Sequence, residues 1–274
     1  MHHVSTEQHW IDTLQGRLFA QCWQTFEAQK DVIVLMHDSL GCVALWRDFP
    51  ERLARACGRR VIAYDRLGFG RSDASPGELP LSFVEDEATS GFQAVCEYFD
   101  LSQFVVFGHS VGGGMAVCCA ASHPDRCKAV ITESAQAFVE AATRDGIRQA
   151  ERLFSELGQF ERLHKYHADK ARWVLRAWVD TWLSNGFNNW NLDAPLRRVG
   201  CPMLVLHGDR DEYGSTHQSE RIAANASSPV SVEILPDCGH VPHREYPDTV
   251  LTIVCEFLQR LNDGDRTPID AIQK

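Results

Sequence analysis

The sequence lacks long apolar runs. Its runs, such as Val32–Met36, fall far short of the ~20 residues that a helix needs to span a bilayer. The N-terminal residues carry Glu7 and Asp12 and no apolar core, so we expect no secretory signal peptide. These absences predict a cytoplasmic protein with no membrane partner.

Positive charge is also scarce. The 274 residues include 27 Lys and Arg against 37 Asp and Glu, which gives a net charge of -10 at pH 7 with neutral histidines. A field of this sign repels phosphate backbones, and so we expect no nucleic-acid partner. Apolar residues make up 44% of the chain and charged residues 23%, which predicts a substantial packed core and excludes global disorder.

Closely spaced cysteine pairs of the CxxC type are absent, although the chain has 10 cysteines. The cysteines are spread from Cys22 to Cys255, and several lie inside apolar runs such as 115–120. This distribution differs from the disulfide framework of a small secreted protein. It favours reduced thiols in a reducing compartment.

Short runs of β-branched and apolar residues alternate with amphipathic stretches along most of the chain. Such alternation is typical of βαβ units, in which helices cover both faces of a parallel sheet. The predicted strands are 32–36, 61–64, 104–107, 129–132, 203–206 and 232–235, preceded by a hairpin within 9–24. The predicted helices between them are 45–57, 83–99, 112–122, 219–226 and 248–261.

The alternation is interrupted once, from Ser134 to about Gly200, where no strand is predicted. A parallel crossover needs only about a dozen residues, so most of this stretch is surplus to the sheet. Its pattern predicts helices over 138–157 and 160–183.

We interpret the surplus stretch, residues 135–199, as a helical cap inserted into a core. The core then consists of residues 1–134 and 200–274. Three tryptophans of the cap are expected to line a substrate pocket: Trp173, Trp178 and Trp182. The alternative is that these rings only pack the cap onto the core.

The sharpest motif is Gly108-His109-Ser110-Val111-Gly112, which directly follows a predicted strand and directly precedes a predicted helix. G-x-S-x-G alone is a weak pattern, but this context is typical of a nucleophilic serine exposed at a sharp turn. The glycines leave room for close approach, and the helix N-terminus favours negative charge nearby. We assign Ser110 as the nucleophile. The alternative is a glycine-rich turn with a bystander serine.

A serine nucleophile needs a base, and the base needs a carboxylate that orients it. We assign His240 as the base, because it follows the last predicted strand and so lies at the same edge of the sheet as Ser110. We assign Asp211, just beyond strand 203–206, as the acid. Its main rival is Glu133, which ends the strand after that of the serine; two further carboxylates also compete, Asp209 and Glu212.

The oxyanion that forms when the serine attacks a carbonyl needs backbone donors. The N–H of Val111, the residue after the nucleophile, is expected to be one donor. The N–H of Ser39, in the loop after the first parallel strand, is expected to be the second. The alternative for Asp38 and Ser39 is an ordinary turn or helix cap.

With these residues assigned, the chain resembles the α/β-hydrolase superfamily, specifically small capped serine hydrolases related to esterases and C–C bond hydrolases. The matching segments cover nearly the whole chain in the order serine, acid, histidine: HDSLG, YDRLGFGRSD, GHSVGG, HGDRDEYGS and GHVPHREYP. The resemblance implies the α/β-hydrolase fold, with a mostly parallel eight-stranded sheet, helices on both faces and an inserted helical cap.

The sequence departs from the family pattern at Asp38, where relatives usually have glycine. Asp38 places a carboxylate near the pocket, and we expect Asp38 and His109 to line it. The segment 65–72 is interpreted as a structural turn.

The expected reaction is acyl transfer to water, with a small carboxylic ester or lactone as substrate and an acyl-enzyme intermediate. Dehalogenases and epoxide hydrolases of the family use Asp at the position of Ser110, and proline iminopeptidases usually carry Trp at that of Val111; both patterns differ from this chain. One alternative is a hydrolase of C–C bonds in vinylogous diketones, which would use the same triad. Another is a non-catalytic ligand-binding relative, against which the complete triad argues.

No cofactor and no metal is expected. His164 and His167 are three residues apart, but two ligands without a third make a poor metal site, so we expect both on the polar surface of the cap. The expected partner is a small ester or related acyl substrate. The chain is expected to be a monomer or a homodimer.

Overall fold

The computed structural model describes residues 4–25, 31–156 and 158–262. Its strands are β1 Val4–Thr13, β2 Gly16–Thr25, β3 Val32–Met36, β4 Val61–Tyr64, β5 Phe104–His109, β6 Cys127–Glu133, β7 Met203–Gly208 and β8 Val230–Leu235. They form one sheet in the order β1-β2-β4-β3-β5-β6-β7-β8. β2 pairs antiparallel with β1 and β4, and all other neighbours are parallel. The predicted eight-stranded, mostly parallel sheet is confirmed.

Strand β5 shows how the apolar runs build this sheet. Its residues are buried throughout. Phe104 and Val106 pack into the apolar cluster on one face, whereas Val105 and Phe107 pack into the cluster on the other. Because side chains alternate between faces, a strand covered on both faces needs a continuous apolar run.

The helices of the described residues are α1 Phe49–Cys57, α2 Phe83–Asp86, α3 Gly91–Tyr98, α4 Val111–Ser122, α5 Ala141–Phe154, α6 Gln159–His167, α7 Ala171–Leu183, α8 Asp193–Leu196, α9 His217–Asn225, α10 Pro242–Glu245 and α11 Pro247–Asn262. Short 3-10 turns occupy Val43–Trp46, Glu87–Thr89 and Ala168–Lys170. None of the described helices is long and apolar enough to cross a membrane.

Three predicted helices are interrupted in the structure. The stretch 45–57 divides at Arg47, whose φ is 54°, between the 3-10 turn Val43–Trp46 and α1. The stretch 160–183 divides into α6 and α7, because Ala168 has a φ of 50° and cannot continue a right-handed helix. The stretch 83–99 divides into α2 and α3 at Ser90, whose φ and ψ of -119° and -100° are not helical.

Between β6 and β7 the described residues form helices α5 to α8 and one isolated bridge between Phe138 and Asn191. This stretch is helical, as expected. The predicted helix end at Leu157 and the outermost core residues, 1–3 and 263–274, lie outside the described residues. The division into a core and a separate cap over 135–199 stays a prediction.

The cysteines depart from the expectation in one pair. Cys57 at the end of α1 and Cys255 in α11 form a disulfide, with their Cα atoms 5.3 Å apart. The prediction of reduced thiols was wrong for this pair, because packing of α1 against α11 joins residues separated by 198 positions. The other eight cysteines are free and buried.

Candidate active site

Ser110 occupies the sharp turn between β5 and α4. Its φ and ψ of 56° and -126° lie outside the regions that most residues favour, at a cost of about 1–3 kcal/mol that the surroundings must offset. A Cβ at Gly108 would overlap the carbonyl of Gly112, and a Cβ at Gly112 would overlap the carbonyl of Met36, which explains both glycines of the motif. The Ser110 N–H donates to the Glu133 carbonyl at 2.8 Å, and the Gly113 N–H donates to the Ser110 carbonyl at 2.8 Å. The turn is therefore held from both sides.

His240 and Asp211 meet at the carboxyl edge of the sheet, as the strand ends predicted. The Nδ1 of His240 lies 2.8 Å from both carboxylate oxygens of Asp211. Tyr213 donates its N–H to the same carboxylate at 2.7 Å, which fixes the carboxylate in place. Because a carboxylate only accepts, Nδ1 carries the proton, and the Nε2 of the neutral ring is left with its lone pair.

The charges of this pair reinforce one another. Burial lowers the pKa of His240, but the hydrogen bond and the charge of Asp211 outweigh burial, so the pKa lies above its ordinary value. Burial raises the pKa of Asp211, but the contact with His240 outweighs it and holds that pKa below its ordinary value. The pair therefore favours a carboxylate beside an imidazole that protonates readily.

Glu133, the rival acid, contacts a different histidine. Its Oε2 accepts a hydrogen bond from Nδ1 of His243 at 2.5 Å, and both side chains are fully buried. Burial raises the pKa of Glu133, but the charge and hydrogen bond of His243 bring it below its ordinary value. Sequence reasoning did not single out His243, the second residue of the short helix α10 that follows His240.

The histidine next to the nucleophile completes this buried group. His109, His243 and Glu133 form a buried cluster. One ring nitrogen of each histidine and one carboxylate oxygen of Glu133 all lie within 4.8 Å of one another. Such a group could in principle hold a metal ion. Two ligand atoms bound at ~2.1 Å to a tetrahedral metal stand about 3.4 Å apart, but Nδ1 of His243 and Oε2 of Glu133 are only 2.5 Å apart. The described geometry is that of a hydrogen-bonded pair.

Ser110 and His240 line one cavity of about 440 Å³. The other described lining residues are Asp38, Ser39, Leu40, Gln136, Thr143, Ile147, Trp178, Trp182 and Tyr213. The expected pocket residues Asp38, Trp178 and Trp182 are therefore brought to the nucleophile.

Two expected pocket residues lie elsewhere. Trp173 packs its ring against Phe69 and donates its indole N–H to the Gly77 carbonyl at 2.8 Å, so it joins the helical stretch to a core loop. His109 is buried, and its Nε2–H donates to the His240 carbonyl at 2.8 Å. The side chain of His109 does not line the cavity that contains the Ser110 hydroxyl. It lines a smaller cavity of about 190 Å³ that also borders Asp38.

Gln136 is the functional residue that sequence reasoning missed. The Ser110 hydroxyl donates to its Oε1 at 3.3 Å. Gln136 lies three residues beyond the end of β6, at the same edge of the sheet as the triad, and is buried. In the sequence, only its position just after a parallel strand could have indicated that Gln136 lies near the site.

The two expected oxyanion donors lie beside the nucleophile. Val111 is the first residue of α4, and the first N–H groups of a helix have no partner within it. Ser39 lines the cavity in the loop after β3.

Hydrogen bonds fix the loop that contains Ser39. His37 Nε2 accepts from the Arg66 N–H at 3.2 Å, so its Nδ1–H donates to the Asp38 carbonyl at 2.8 Å. The Arg66 guanidinium also donates to that carbonyl at 2.9 Å. Asp38 has no positive φ, and the loop therefore does not require the glycine that relatives usually have there.

The two histidines of α6 that were expected on the surface differ in exposure. His164 is exposed, as expected. His167 is fully buried, so its expected surface position was wrong. Its Nδ1 accepts from the Gly70 N–H at 2.8 Å, and its Nε2–H therefore donates to the Leu40 carbonyl at 2.9 Å. His167 joins α6 to two core loops, a contact that only packing could create.

The segment 65–72 is a structural turn, as interpreted. The buried Asp65 carboxylate accepts from the N–H groups of Val43 and Arg71 at 2.5 and 2.7 Å. Burial raises the pKa of Asp65 to about 6.

Comparison with known proteins gives a consistent result. The chain is 24% identical over 259 residues to the putative 2-succinyl-6-hydroxy-2,4-cyclohexadiene-1-carboxylate synthase of Bacillus subtilis (strain 168), an alignment that covers 84% of this chain and 90% of that protein. It is 25% identical over 231 residues to the non-heme haloperoxidase of Rhodococcus erythropolis, which covers 74% and 83%.

Among solved structures, the 2-hydroxy-6-oxo-6-phenylhexa-2,4-dienoate hydrolase of Rhodococcus sp. strain RHA1 superposes with a TM-score of 0.79 at 18% identity, over 94% of this chain and 100% of that one. This likeness concerns the fold. Residues 27–253 match the family model described as the alpha/beta hydrolase family. The chain therefore belongs to the alpha/beta hydrolase family.

Proposed function

We propose that this chain is a serine hydrolase that cleaves a small carboxylic ester or lactone through an acyl-enzyme intermediate. The observation that carries the proposal is the His240–Asp211 hydrogen bond of 2.8 Å at the wall of the cavity that contains the Ser110 hydroxyl. A ligand-binding relative has no need of an oriented, carboxylate-paired imidazole beside a serine held at a strained turn.

In this mechanism, Ser110 attacks the ester carbonyl while Nε2 of His240 takes the hydroxyl proton. Asp211 holds the ring in the required tautomer and stabilises the imidazolium. The N–H groups of Val111 and Ser39 would bind the oxyanion, where one donor is worth about 3 kcal/mol. His240 then gives the proton to the leaving alcohol, and water, activated by the same ring, releases the acid.

The lining of the cavity favours an ester over a vinylogous diketone that carries a carboxylate. No Lys or Arg occurs among the described residues that line it, and Asp38 would repel a carboxylate. The same triad would otherwise serve C–C bond cleavage, so this charge pattern is what separates the two candidates.

The test measures turnover of short-chain aryl esters, lactones and a dienoate diketone by the wild type, Ser110→Ala and Ser122→Ala. Ser122, at the far end of α4, provides a matched exposed serine. We expect ester turnover by the wild type and Ser122→Ala, and a loss of roughly 10³-fold or more in Ser110→Ala. Equal ester turnover by Ser110→Ala would refute the proposal, and turnover of the diketone alone would favour the C–C hydrolase.

A further inference from the structure

The cavity around Ser110 has a one-sided charge. Asp38 is the single Asp, Glu, Lys or Arg among the described residues that line it. Two more carboxylates, Asp211 and Glu212, lie near His240 behind the cavity wall. Their charges and that of Asp38 raise the pKa of His240, against the effect of its burial. The one permanently charged side chain on the cavity wall is therefore acidic.

No Lys or Arg of the described residues forms a salt bridge with the Asp38 carboxylate, although the charge of Arg66 acts on it from farther away. The Arg66 guanidinium beside it donates to the backbone carbonyl of Asp38, and no described residue donates a hydrogen bond to the carboxylate oxygens. The nearest basic atom is Nδ1 of His109 at 3.9 Å, but burial lowers the pKa of His109 to about 4 and keeps that ring neutral. The carboxylate is 31% exposed, so a ligand in the cavity has access to it.

Aromatic rings supply the rest of the wall. Trp178, Trp182 and Tyr213 line the same cavity. Ring faces attract cations within about 6 Å of their centroids. A carboxylate that shares a cavity wall with aromatic rings, where no Lys or Arg lines that wall, is the chemistry that recognises an ammonium group.

We propose that this cavity selects an ester whose acyl or alcohol part carries an ammonium group, and that Asp38 pairs with that group. The inference rests on the proposed function, because it names the substrate class of the same site. An unpaired Asp38 carboxylate opposes negative charge on an oxyanion held by the adjacent Ser39 N–H. A substrate ammonium binds Asp38 and also neutralises its repulsion of the oxyanion. It therefore stabilises the transition state more than the bound substrate, and we expect it to accelerate the reaction as well as to strengthen binding.

The test uses para-nitrophenyl esters of three acids of similar size: β-alanine, butanoic acid and succinic acid, which present an ammonium, a methyl and a carboxylate. Acetylcholine and its neutral isostere, dimethylbutyl acetate, test the alcohol side. The enzymes are the wild type, Asp38→Asn and, as a matched control, Asp48→Asn, which removes an exposed carboxylate outside the cavity lining.

We expect the wild type and Asp48→Asn to prefer the ammonium ester of at least one pair by about tenfold in kcat/KM, the value of one charged hydrogen bond. The carboxylate ester should be the poorest substrate. In Asp38→Asn the ammonium preference should disappear while turnover of the neutral ester rises. No ammonium preference in the wild type, or one that survives Asp38→Asn, overturns the inference and leaves the proposed function intact.

Calorimetry keeps the inference testable if no ester is turned over. Phenethylammonium, phenethyl alcohol and phenylacetate are titrated into wild type and Asp38→Asn. Tighter binding of phenethylammonium by about tenfold, lost in Asp38→Asn, supports cation recognition without catalysis. Equal binding of the alcohol and the ammonium refutes it.

Discussion

The Ser110 hydroxyl donates its hydrogen bond to the Gln136 side-chain oxygen, 3.3 Å away, and therefore does not donate to His240 in this conformation. The bond is longer than the ~2.7–2.8 Å usual between oxygens, so it is weak. In the proposed mechanism the Ser110 hydroxyl must leave this acceptor and donate to His240 instead. Gln136 thus competes with the proposed base for the serine proton.

Removal of this competing acceptor should raise activity. In Gln136→Leu, the hydroxyl keeps only His240 as an acceptor, and we expect kcat/KM for a neutral ester to increase by about three- to tenfold, which corresponds to one weak hydrogen bond. In Gln136→Glu, the stronger acceptor and its charge should lower kcat/KM. Steady-state kinetics on both variants measures the effect. A fall of more than tenfold in Gln136→Leu would instead mean that the Gln136 amide contacts the reacting atoms.

The pH dependence of kcat/KM should report the His240–Asp211 pair. His240 acts as a base only when it is neutral, and contact with Asp211 raises its pKa against burial, so the acid limb should lie above the ordinary histidine pKa of 6.5. In Asp211→Asn this support is lost. We expect the limb to move to lower pH and the maximum to fall by roughly 10⁴-fold, the magnitude known for a serine protease triad.

Glu133→Gln is the matched control for the acid, because Glu133 contacts His243 and not His240. The acid limb of this variant should stay where the wild type has it. A profile that moves in Glu133→Gln but not in Asp211→Asn would exchange the roles of the two carboxylates.

The Glu133–His243 pair should govern acid stability. The folded-state pKa of Glu133 lies below its ordinary value, so its contribution is present above the unfolded pKa and is lost as the pH falls through the folded pKa. In His243→Leu, the charge and side-chain hydrogen bond of His243 are lost, so the effect of burial on Glu133 dominates and its pKa rises. We expect the free energy of unfolding at neutral pH to fall by about 3–5 kcal/mol. The pH dependence should also reverse, with greater stability in acid.

Urea denaturation over a range of pH measures both effects. The double variant Glu133→Leu/His243→Leu should recover most of the lost stability, because a buried ion pair replaced by apolar side chains is often neutral. A single variant as stable as the wild type at neutral pH would contradict the assignment of Glu133 as a buried, ionised carboxylate.

Chain-length preference should separate the tryptophans. Trp178 lines the cavity, whereas Trp173 packs on Phe69 outside it. We expect Trp178→Ala to enlarge the cavity and to move the preferred acyl chain from butanoate towards octanoate. Trp173→Ala should lower stability but keep the wild-type order of substrates. Identical length profiles for both variants would argue against this placement of the rings.

The sequence predicted the meeting of Ser110, Asp211 and His240 because each follows a parallel strand. The carboxyl ends of such strands share one edge, so a motif read locally on each strand implies proximity in space. Their roles in catalysis stay proposals that the kinetics above test.

Contacts between distant elements were beyond such reasoning. Glu133 lies 110 residues from His243, and Cys57 lies 198 residues from Cys255. Neither pair has a local pattern, since their proximity depends on how helices settle on the sheet. His167 shows the same limit: its position on a polar helix suggested the surface, but packing of α6 turned it onto two core loops.

Periodicity and turn chemistry within the chain determined the parallel sheet, the serine turn and the edge at which the triad converges, because backbone preferences and side-chain alternation are local properties. Tertiary packing alone decided which acid contacts which histidine and which tryptophans face the cavity. It also decided that no Lys or Arg of the described residues joins Asp38 on the cavity wall. Those outcomes depend on side chains from separate elements that compete for the same space and the same hydrogen bonds.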